Sequence, residues 1–283
     1  MTNLRIGIPS KGRLSELAGE LLKEAGLNYR RPDRSLFARC RDMPIDVTFL
    51  RTEDIPVLCA EGAIDMGLTG GDLVIEHRAD IIERLPLDVG HCRLAICVPE
   101  NGDVKSPRDL AKRRIATSFP NTTQAYLEKH HTTAHMVPLS GSVEVMIALG
   151  VADAIVDLVE TGSTLAANGL KILDEIGHYQ TVLIQNRERR HPELADRVVR
   201  RLEGVVIARS YSLLEYNVPR GKLAEAEKIT PGFNSPTVSA LEDSDWCAVR
   251  VMVRRGEVIS IMEQLEALGA SAILETRIMN CRL

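Results

Sequence analysis

Residues 154–165 read AIVDLVETGSTL, and the interpretation of the whole chain starts from this stretch. An apolar run typical of a buried strand ends in one carboxylate, and a glycine with small hydroxyl side chains follows. Small residues after a strand let backbone N–H groups approach an anion closely, and a helix that begins there presents the positive end of its dipole. The stretch therefore predicts a phosphate-binding turn, with Thr164 as N-cap of a helix from about Leu165. A plain strand-to-helix turn with good capping is the alternative.

Composition excludes several classes of protein. The chain has 283 residues, which favours two or three domains, and its formal net charge of -4 argues against a nucleic-acid partner. No apolar run has the length of a signal peptide core or a membrane span, so we expect a cytoplasmic protein with no membrane partner. The cysteines lack zinc-type spacing, and reduced thiols are expected at all of them: Cys40, Cys59, Cys92, Cys97, Cys247 and Cys281.

Short apolar runs alternate with amphipathic segments, which predicts an α/β fold with mostly parallel sheets. The predicted strands are 4–8, 45–50, 65–68, 94–98, 114–117, 154–157, 171–173 and 182–185, with helices at 14–25 and 52–61. A first lobe is expected over 1–90, completed by about 182–210, and a second over 91–181. A helix is predicted from about 194 to 218. The remaining tail reads as helix 222–228, strands 237–241 and 247–253, helix 258–268 and strand 272–278, a small α+β domain at 211–283.

The segment 144–165, EVMIALGVADAIVDLVETGSTL, closely resembles the signature of the ATP phosphoribosyltransferase family. The matching positions are Glu144, Gly150, Ala152, Ile155, Asp157, Leu158, Thr161, Gly162, Thr164 and Leu165. Further resemblance lies in IPSKGRL (8–14), RTEDIP (51–56), GAIDMGLTGGD (62–72) and ATSFPNTTQAYL (116–127). The ending, from ITPGFNSPT to ILETRIMNCRL, resembles the regulatory domain of the long form of this family. The loop departs from the commoner phosphoribosyltransferase loop, which carries two adjacent acids, because Val156 precedes Asp157.

The resemblance implies a transferase that condenses ATP with phosphoribosyl pyrophosphate to N1-(5-phosphoribosyl)-ATP and pyrophosphate. This is the first step of histidine biosynthesis, and histidine is the expected feedback inhibitor. The implied fold is a two-lobed core of the periplasmic-binding-protein kind with a small ferredoxin-like α+β C-terminal domain. Members of the family need Mg²⁺ and assemble as homodimers and homohexamers, and the long form is expected to need no separate regulatory subunit.

The resemblance also assigns the residues that bind phosphoribosyl pyrophosphate. The residues assigned to the 5-phosphate are Thr161, Gly162, Ser163 and Thr164. Glu160 is assigned to the same binding site, and the alternative is that its side chain faces solvent. Asp153 and Asp157 either hold ribose hydroxyls or magnesium-bound water, or cap a nearby turn. Because adenine N1 is already a free lone pair, catalysis is expected to depend on positioning and charge neutralisation, with no catalytic triad.

Basic and small residues after other strands complete the expected active site. Lys11 and Arg13 are assigned to the binding of nucleotide or pyrophosphate, and the alternative is that they lie in a solvated turn. Arg51 is assigned in the same way, and its alternative is an ion pair with Glu53 or Asp54. The remaining nucleotide and pyrophosphate assignments are Thr69, Gly70, Gly71, Ser118, Asn121, Thr122 and Thr123. The alternative for the glycines is a tight hinge turn, and for the last four residues it is ordinary helix capping. Asp72 is expected to cap the helix that follows it.

The resemblance places the histidine effector near Glu215, Ser235, Thr237 and Ala272. A carboxylate opposite the ammonium of the effector is physically sensible, although the family carries Asp where this chain has Glu215. Two other classes stay open at this point. The same two-lobed architecture serves solute receptors, and a phosphoribosyltransferase with another acceptor base shares the phosphate loop.

Overall fold

The computed structural model describes residues 3–32, 35–160 and 162–282. The chain forms two compact units. The first comprises residues up to Glu20 together with Asn28–Asp196, and the second comprises Leu21–Leu27 together with the chain from Arg197 onward.

Strands and helices alternate along most of the described chain. The strands are β1 (Leu4–Pro9), β2 (Phe37–Arg39), β3 (Ile45–Leu50), β4 (Met66–Gly70), β5 (Ile81–Pro86), β6 (Cys92–Pro99), β7 (Arg114–Thr117), β8 (His135–Pro138), β9 (Ala154–Val159), β10 (Leu170–Tyr179), β11 (Thr181–Asn186), β12 (Tyr211–Pro219), β13 (Thr237–Ala240), β14 (Trp246–Arg254) and β15 (Ser271–Arg277). The α-helices are α1 (Arg13–Glu24), α2 (Asp54–Ala60), α3 (Gly71–Glu76), α4 (Pro120–Lys129), α5 (Val145–Ala148), α6 (Ser163–Ala167), α7 (Pro192–Ser210), α8 (Leu223–Ile229) and α9 (Val258–Leu268).

The first unit contains two sheets, which define its two lobes. The first lobe has six strands in the order β2-β3-β1-β4-β11-β5, and the second has five in the order β10-β6-β9-β7-β8. The prediction of mostly parallel sheets is wrong. In each lobe a parallel set of three strands is flanked by antiparallel ones. The reason is connectivity: the chain crosses between sheets from β5 to β6 and returns from β10 to β11, and the strands beside these crossings run against their neighbours.

The second lobe buries both faces of its central strands. Leu94, Ile96 and Val98 of β6 pack with Val156 of β9 on one face. The alternate residues of the same strands, including Cys97, pack on the other face. Side chains alternate across a strand, so a near-continuous apolar run is what a strand covered on both faces requires. This explains why the sequence predicted β6 and β9.

The second unit contains a four-stranded antiparallel sheet in the order β13-β14-β12-β15. The chain order β12-α8-β13-β14-α9-β15 is the ferredoxin-like arrangement, and the helices cover one face of the sheet. The predicted helix to residue 218 is wrong, because α7 ends at Ser210 and β12 follows. Leu214, Tyr216 and Val218 are buried while their neighbours are not, and this period of two belongs to a strand.

The predicted fold class is confirmed: two α/β lobes and a small ferredoxin-like α+β domain. Across the described ranges, no helix combines the length and the apolar character needed to cross a membrane.

Candidate active site

The first lobe collects several predicted residues at one edge of its sheet. Strands β1, β3 and β4 are parallel, so their carboxyl ends meet at the same edge. Lys11 and Arg13 follow β1, Arg51 follows β3, and β4 ends at Gly70. Gly12, between the two basic residues of the first loop, has a φ of 75°. Arg51 is exposed at this edge.

The second lobe contributes two loops at the carboxyl ends of its own parallel strands. Residues 118–123 follow β7, and residues 160–164 follow β9. The two lobes meet here, because Arg13 Nη1 donates to Glu160 Oε2 at 2.7 Å. Both side chains are exposed, so this ion pair contributes little free energy. Its significance is positional: a residue assigned to the nucleotide side and one assigned to the sugar-phosphate side are within hydrogen-bond distance.

The turn after β9 has a different conformation from the predicted one. Helix α6 begins at Ser163, two residues earlier than expected, and Gly162 is its N-cap with a φ of 80°. The prediction of Thr164 as N-cap is therefore wrong. The left-handed backbone explains the glycine, since other residues adopt this region at a cost. Ser163 and Thr164 are exposed, and Thr161 lies outside the described residues.

Asp157 lies near the carboxyl end of β9, next to this turn. Burial raises the pKa of its carboxyl group, and the negative charge of Glu144 raises the pKa further. The backbone N–H of Leu158 donates to its Oδ1 at 2.8 Å, which partly offsets the effect of burial. A half-buried carboxylate beside an open turn is the arrangement expected of a ligand-binding acid.

Asp153 lies at the amino end of β9, away from the turn. It accepts hydrogen bonds from the Arg114 backbone N–H at 2.9 Å, from Nε at 3.2 Å and from Nη2 at 2.9 Å. These hydrogen bonds, followed by the charge of the guanidinium, lower its pKa. The structure therefore does not bring Asp153 together with Asp157 and Gly162, and its oxygens join β9 to β7.

The predicted anion loop after β7 is bound by a carboxylate of the protein itself. Glu76, at the end of α3 in the first lobe, accepts the backbone N–H groups of Asn121 and Thr122 at 2.9 Å each. The Thr122 hydroxyl donates to the same carboxylate at 2.7 Å, and the Thr123 hydroxyl donates to the Phe119 carbonyl at 2.6 Å. Glu76 is only 5% exposed. In this arrangement the helix-capping alternative describes Asn121, Thr122 and Thr123, and half-buried Ser118 lies just before them.

The glycines after β4 also make structural contacts. The Gly71 N–H donates to the carbonyl of Gln180, the single residue between β10 and β11, at 2.9 Å. A Cβ at Gly70 would lie 2.0 Å from Asp72 Oδ1, so the folded-back carboxylate requires a glycine. Buried Thr69 donates its hydroxyl to the Thr52 carbonyl at 3.3 Å. These contacts favour the hinge-turn alternative. Asp72 lies inside α3, where burial raises its pKa and it accepts N–H groups of the first turn.

Two residues near the site were not singled out from the sequence. Glu76 gives no local signal, because its partners Asn121 and Thr122 lie 45 and 46 residues further along the chain and only the tertiary fold brings them to it. Arg31 stacks its guanidinium 3.9 Å from the centroid of the Phe49 ring and donates from Nη1 to the Ser10 carbonyl at 3.3 Å. It therefore supports the loop that carries Lys11. The only sequence signal for it is the cluster of arginines at residues 30–34.

Comparison with known proteins agrees with this geometry. A family model described as ATP phosphoribosyltransferase matches residues 51–204, and one described as HisG, C-terminal domain, matches residues 208–280. The ATP phosphoribosyltransferase of Rhodopirellula baltica is 65% identical over 280 residues, covering 99% of this chain and 94% of that protein. The chain belongs to the ATP phosphoribosyltransferase family. It is accordingly a pentosyltransferase of the glycosyltransferase class.

Other members of the ATP phosphoribosyltransferase family agree over the full chain. The enzyme of Saccharopolyspora erythraea is 42% identical over 281 residues, covering 99% of this chain and 100% of that protein. Among solved structures, a chain of the ATP phosphoribosyl transferase (HisG:HisZ) complex from Thermotoga maritima has a TM-score of 0.64 and 33% identity. It covers 72% of this chain and 98% of that chain. The match of this chain to both family models supports the long form that was predicted.

The C-terminal sheet brings together some of the residues that the family resemblance assigned to the effector. Glu215 of β12 pairs with Arg250 of β14, with its Oε1 2.8 Å from Nε and 2.7 Å from Nη2. Thr237 of β13 is the register neighbour of Arg250 on its other side. Ala272 lies in β15 at an irregularity opposite β12 and has a φ of 49°. Ser235 is exposed just before β13. In this structure the cation beside Glu215 is Arg250.

The donor set for a metal is small. Among the described residues no group of three or more histidine, cysteine, aspartate or glutamate side chains could hold a metal ion. Magnesium keeps several waters and often binds through one or two carboxylates plus substrate phosphates, so it does not need such a cage. The family is metal-dependent, and a half-buried carboxylate such as Asp157 beside the turn is an oxygen donor of the kind that such an ion uses.

Proposed function

We propose that the enzyme joins N1 of ATP to the anomeric carbon of phosphoribosyl pyrophosphate, with pyrophosphate as leaving group. The observation that carries this proposal is the 2.7 Å contact between Arg13 and Glu160. It brings the basic edge of the first lobe to the loop after β9, where the family pattern expects the 5-phosphate. This step would open histidine biosynthesis.

The turn after β9 is the proposed site of the sugar phosphate. Gly162 gives this turn a left-handed backbone, Ser163 and Thr164 are exposed residues with hydroxyl groups, and Thr161 joins them by the sequence pattern. Their charge is neutral, so they hold a dianion through hydrogen bonds and leave charge neutralisation to other groups. Asp157 binds the ribose hydroxyls from the adjacent strand end. Asp153 is not part of the proposed site, because it lies at the other end of β9 and its carboxylate is paired with Arg114.

The basic edge of the first lobe is the proposed site of the departing diphosphate. Negative charge moves onto pyrophosphate as the bond to the anomeric carbon breaks, while the carbon becomes cation-like. Lys11, Arg13 and Arg51 would neutralise that charge, and groups fixed before the reaction do so without reorganisation. Adenine N1 needs no general base, so alignment of the two substrates supplies the rest of the rate increase.

Magnesium is the proposed metal, bound to the diphosphate and to Asp157 through water. When bound, it supplies further positive charge for the leaving group. The part of the chain that the structure describes offers no competing cluster of three ligands, which supports a substrate-borne ion over a protein-caged one.

Regulation by histidine is proposed for the C-terminal sheet. Glu215 and Thr237 lie on either side of Arg250, so an amino acid could find a carboxylate for its ammonium and a guanidinium for its carboxylate in one place. The proposed functional domains are a first lobe of residues 1–90 with 182–210, a second lobe of residues 91–181 and a regulatory domain of residues 211–283. Homodimers and homohexamers, without a separate regulatory subunit, are the proposed assemblies.

A coupled assay of pyrophosphate release tests the reaction. We expect turnover with ATP plus phosphoribosyl pyrophosphate and Mg²⁺, and none when either substrate is omitted. A panel of other purine nucleotides measures acceptor specificity; preference for another base would replace ATP in the proposal. A protein that binds an amino acid tightly and releases no pyrophosphate would be a solute receptor, and the proposal would fall.

A further inference from the structure

Helix α3 contacts the apolar cores of both lobes. It starts at Gly71, directly after β4 of the first lobe, and ends at Glu76. Val74 packs against the core of the first lobe, whereas its neighbour Leu73 packs against the core of the second. Because successive side chains of a helix point about 100° apart, these two residues place one short helix between the two cores.

The end of α3 and the start of α4 cap each other. The Glu76 carboxylate accepts the N–H groups of Asn121 and Thr122 at 2.9 Å each and the Thr122 hydroxyl at 2.7 Å. In return, Nδ2 of Asn121 donates to the Glu76 carbonyl at 3.0 Å. The first N–H groups and the last carbonyl groups of a helix have no partner within it. Each helix therefore satisfies the other across the boundary between the lobes.

The environment of Glu76 suits a residue that holds the two lobes in a fixed relation. Its side chain is almost fully buried, so water competes little for its hydrogen bonds. A negative charge at a helix N-terminus is favourable, and hydrogen bonds to an ionised acceptor are shorter and stronger than neutral ones. The ion pair of Arg13 and Glu160, by contrast, is exposed and weakened by solvent. The buried contact is therefore the one that fixes α4 on α3.

Both helices follow strands that end at the candidate active site. Helix α3 comes directly after β4, whose last residue, Gly70, lies at the basic edge of the first lobe. Helix α4 follows β7, with only residues 118 and 119 between them, and β7 is the parallel neighbour of β9. Because these connections are so short, fixing α4 on α3 also fixes the turn after β9 relative to the basic edge.

We infer that Glu76 is a positioning residue for the reaction. Its carboxylate holds α4 of the second lobe on α3 of the first, and it thereby sets the distance that phosphoribosyl pyrophosphate has to span. Glu76 itself touches no substrate, because α4 encloses its carboxylate. The inference rests on the proposed function, in which the 5-phosphate binds the turn after β9 and the diphosphate binds the basic edge. A ligand held at both ends gains affinity only when its two sites lie at the distance that it spans.

The test compares a ligand that spans both lobes with two fragments that each bind one lobe. Calorimetry of the full chain with Mg²⁺ gives the dissociation constant and the stoichiometry for phosphoribosyl pyrophosphate, ribose 5-phosphate and pyrophosphate. For Glu76→Ala we expect the dissociation constant of phosphoribosyl pyrophosphate to rise about tenfold or more, while that of each fragment changes by less than about twofold. The kcat of pyrophosphate release with ATP should fall at least about tenfold, since a displacement of about 1 Å can lower a rate about 100-fold.

A purely structural defect gives a different result. If Glu76→Ala only unfolds part of the protein, the stoichiometry falls equally for all three ligands and their dissociation constants stay unchanged. That result would overturn the inference. Glu76→Gln keeps one acceptor oxygen, so it should weaken phosphoribosyl pyrophosphate less than the alanine variant does and leave the fragments unaffected. It decides the question if the alanine variant does not fold.

Asp109 supplies the matched control. It accepts the N–H groups of Lys105 and Ser106 at 3.0 and 2.9 Å and the Ser106 hydroxyl at 3.0 Å, the same kinds of donor that Glu76 binds. Its partners lie four and three residues away in the same lobe. We expect Asp109→Ala to keep all three dissociation constants and kcat. Equal weakening of phosphoribosyl pyrophosphate by Asp109→Ala and Glu76→Ala would mean that loss of any cap suffices, and the inference would fall.

Failure of the inference and failure of the proposed function are distinguishable. If the unmodified chain binds phosphoribosyl pyrophosphate no more tightly than its fragments and releases no pyrophosphate with ATP, the proposed function falls. If the unmodified chain does both, and the alanine and glutamine variants of Glu76 bind and turn over as it does, the function stands. Glu76 then stabilises the fold without positioning the substrate.

Discussion

The loops after β7 and β9 start from neighbouring parallel strands and share a pattern of small hydroxyl residues. They differ in whether a side chain of the protein occupies the anion-binding position. In the loop after β7, the carboxylate of Glu76 binds the first free N–H groups of α4 and is almost fully buried. In the loop after β9, the backbone turns through Gly162 and leaves Ser163 and Thr164 exposed. A run of small hydroxyl residues therefore predicts an anion-binding turn without predicting whether the anion is a ligand or a side chain.

The two ends of β9 repeat this contrast with acids. At its amino end Asp153 has a lowered pKa, because the hydrogen bonds and charge of Arg114 stabilise the carboxylate. Near its carboxyl end Asp157 has a raised pKa, because burial and Glu144 oppose its charge. An acid whose ionised form stabilises the fold has a structural role. An acid whose ionised form destabilises the fold is better explained by a role in binding or catalysis. One strand thus carries a structural acid and a candidate binding acid.

The largest expected effect comes from the backbone of the turn after β9. Gly162→Val places a β-branched residue at a φ of 80°, which opens the turn, and we expect kcat/KM to fall about 100-fold or more because the sugar phosphate loses its position. Gly150→Val is the control, with a φ of 68° and no described atom within 4 Å of a built Cβ. It carries the same backbone cost at the other end of β9. Equal loss of activity in both variants would break the distinction between the two ends.

Asp157→Asn should separate activity from stability. We expect kcat/KM to fall by at least about 10-fold, because an amide replaces the charge that the proposed ribose and metal contacts use. At neutral pH the unfolding temperature should rise, because folding opposes the ionised carboxylate. The sign follows from the raised pKa: this group favours the fold when protonated, and that contribution is lost as pH rises through its folded pKa.

Thermal unfolding at pH 7 and near pH 3.5, with parallel kinetics at pH 7, measures both quantities. The stability gain of Asp157→Asn should shrink at the acidic pH, where the native carboxyl group is protonated. Asp153→Asn should behave in the opposite way, losing stability at pH 7 and little in acid, because its lowered pKa makes the ionised form stabilising. A lower unfolding temperature for Asp157→Asn at pH 7 would contradict the functional reading of that acid.

Glu76→Ala tests whether the loop after β7 is structural. Removing the carboxylate leaves the N–H groups of Asn121 and Thr122 and one hydroxyl without their acceptor, and we expect a loss of about 1–3 kcal/mol in the free energy of unfolding. Glu76→Gln keeps one acceptor oxygen and should lose less. Urea unfolding of the full chain measures both variants. If Glu76→Ala is as stable as the unmodified protein, the loop is free to bind a substrate anion, and the contrast with the loop after β9 disappears.

Strongly apolar elements were predictable, and weakly apolar ones were not. Strands 45–50 and 114–117 and helix 258–268 agree with the predicted bounds, because the strands are mostly buried runs and the helix has a periodic buried face. The edge strands β5 and β8 were missed, since both are largely half-buried and short of fully buried positions. Strand β12 was read as helix because it directly follows α7 with no glycine or proline between them.

The site was predictable as a set of residues but not as an arrangement. The composition of the turn identified Gly162, since few other residues suit such a backbone, whereas the helix start was misplaced because Thr164 is also a good cap. Arg13 and Glu160 are 147 residues apart in sequence, and only the fold of two lobes brings them together. Glu76 gave no signal, because its role depends on which helix end the other lobe presents to it.

The smallest expected effect on stability concerns the contact that joins the two lobes. Arg13 and Glu160 are exposed, so Glu160→Gln should change the free energy of unfolding by less than about 1 kcal/mol. Arg13→Gln should be equally mild for stability but should lower kcat/KM at least about 10-fold, because the departing diphosphate loses a cation. The two variants remove the same ion pair, so any difference between them in activity measures what Arg13 does for substrate. Equal and small kinetic effects would mean that Arg13 serves the ion pair alone.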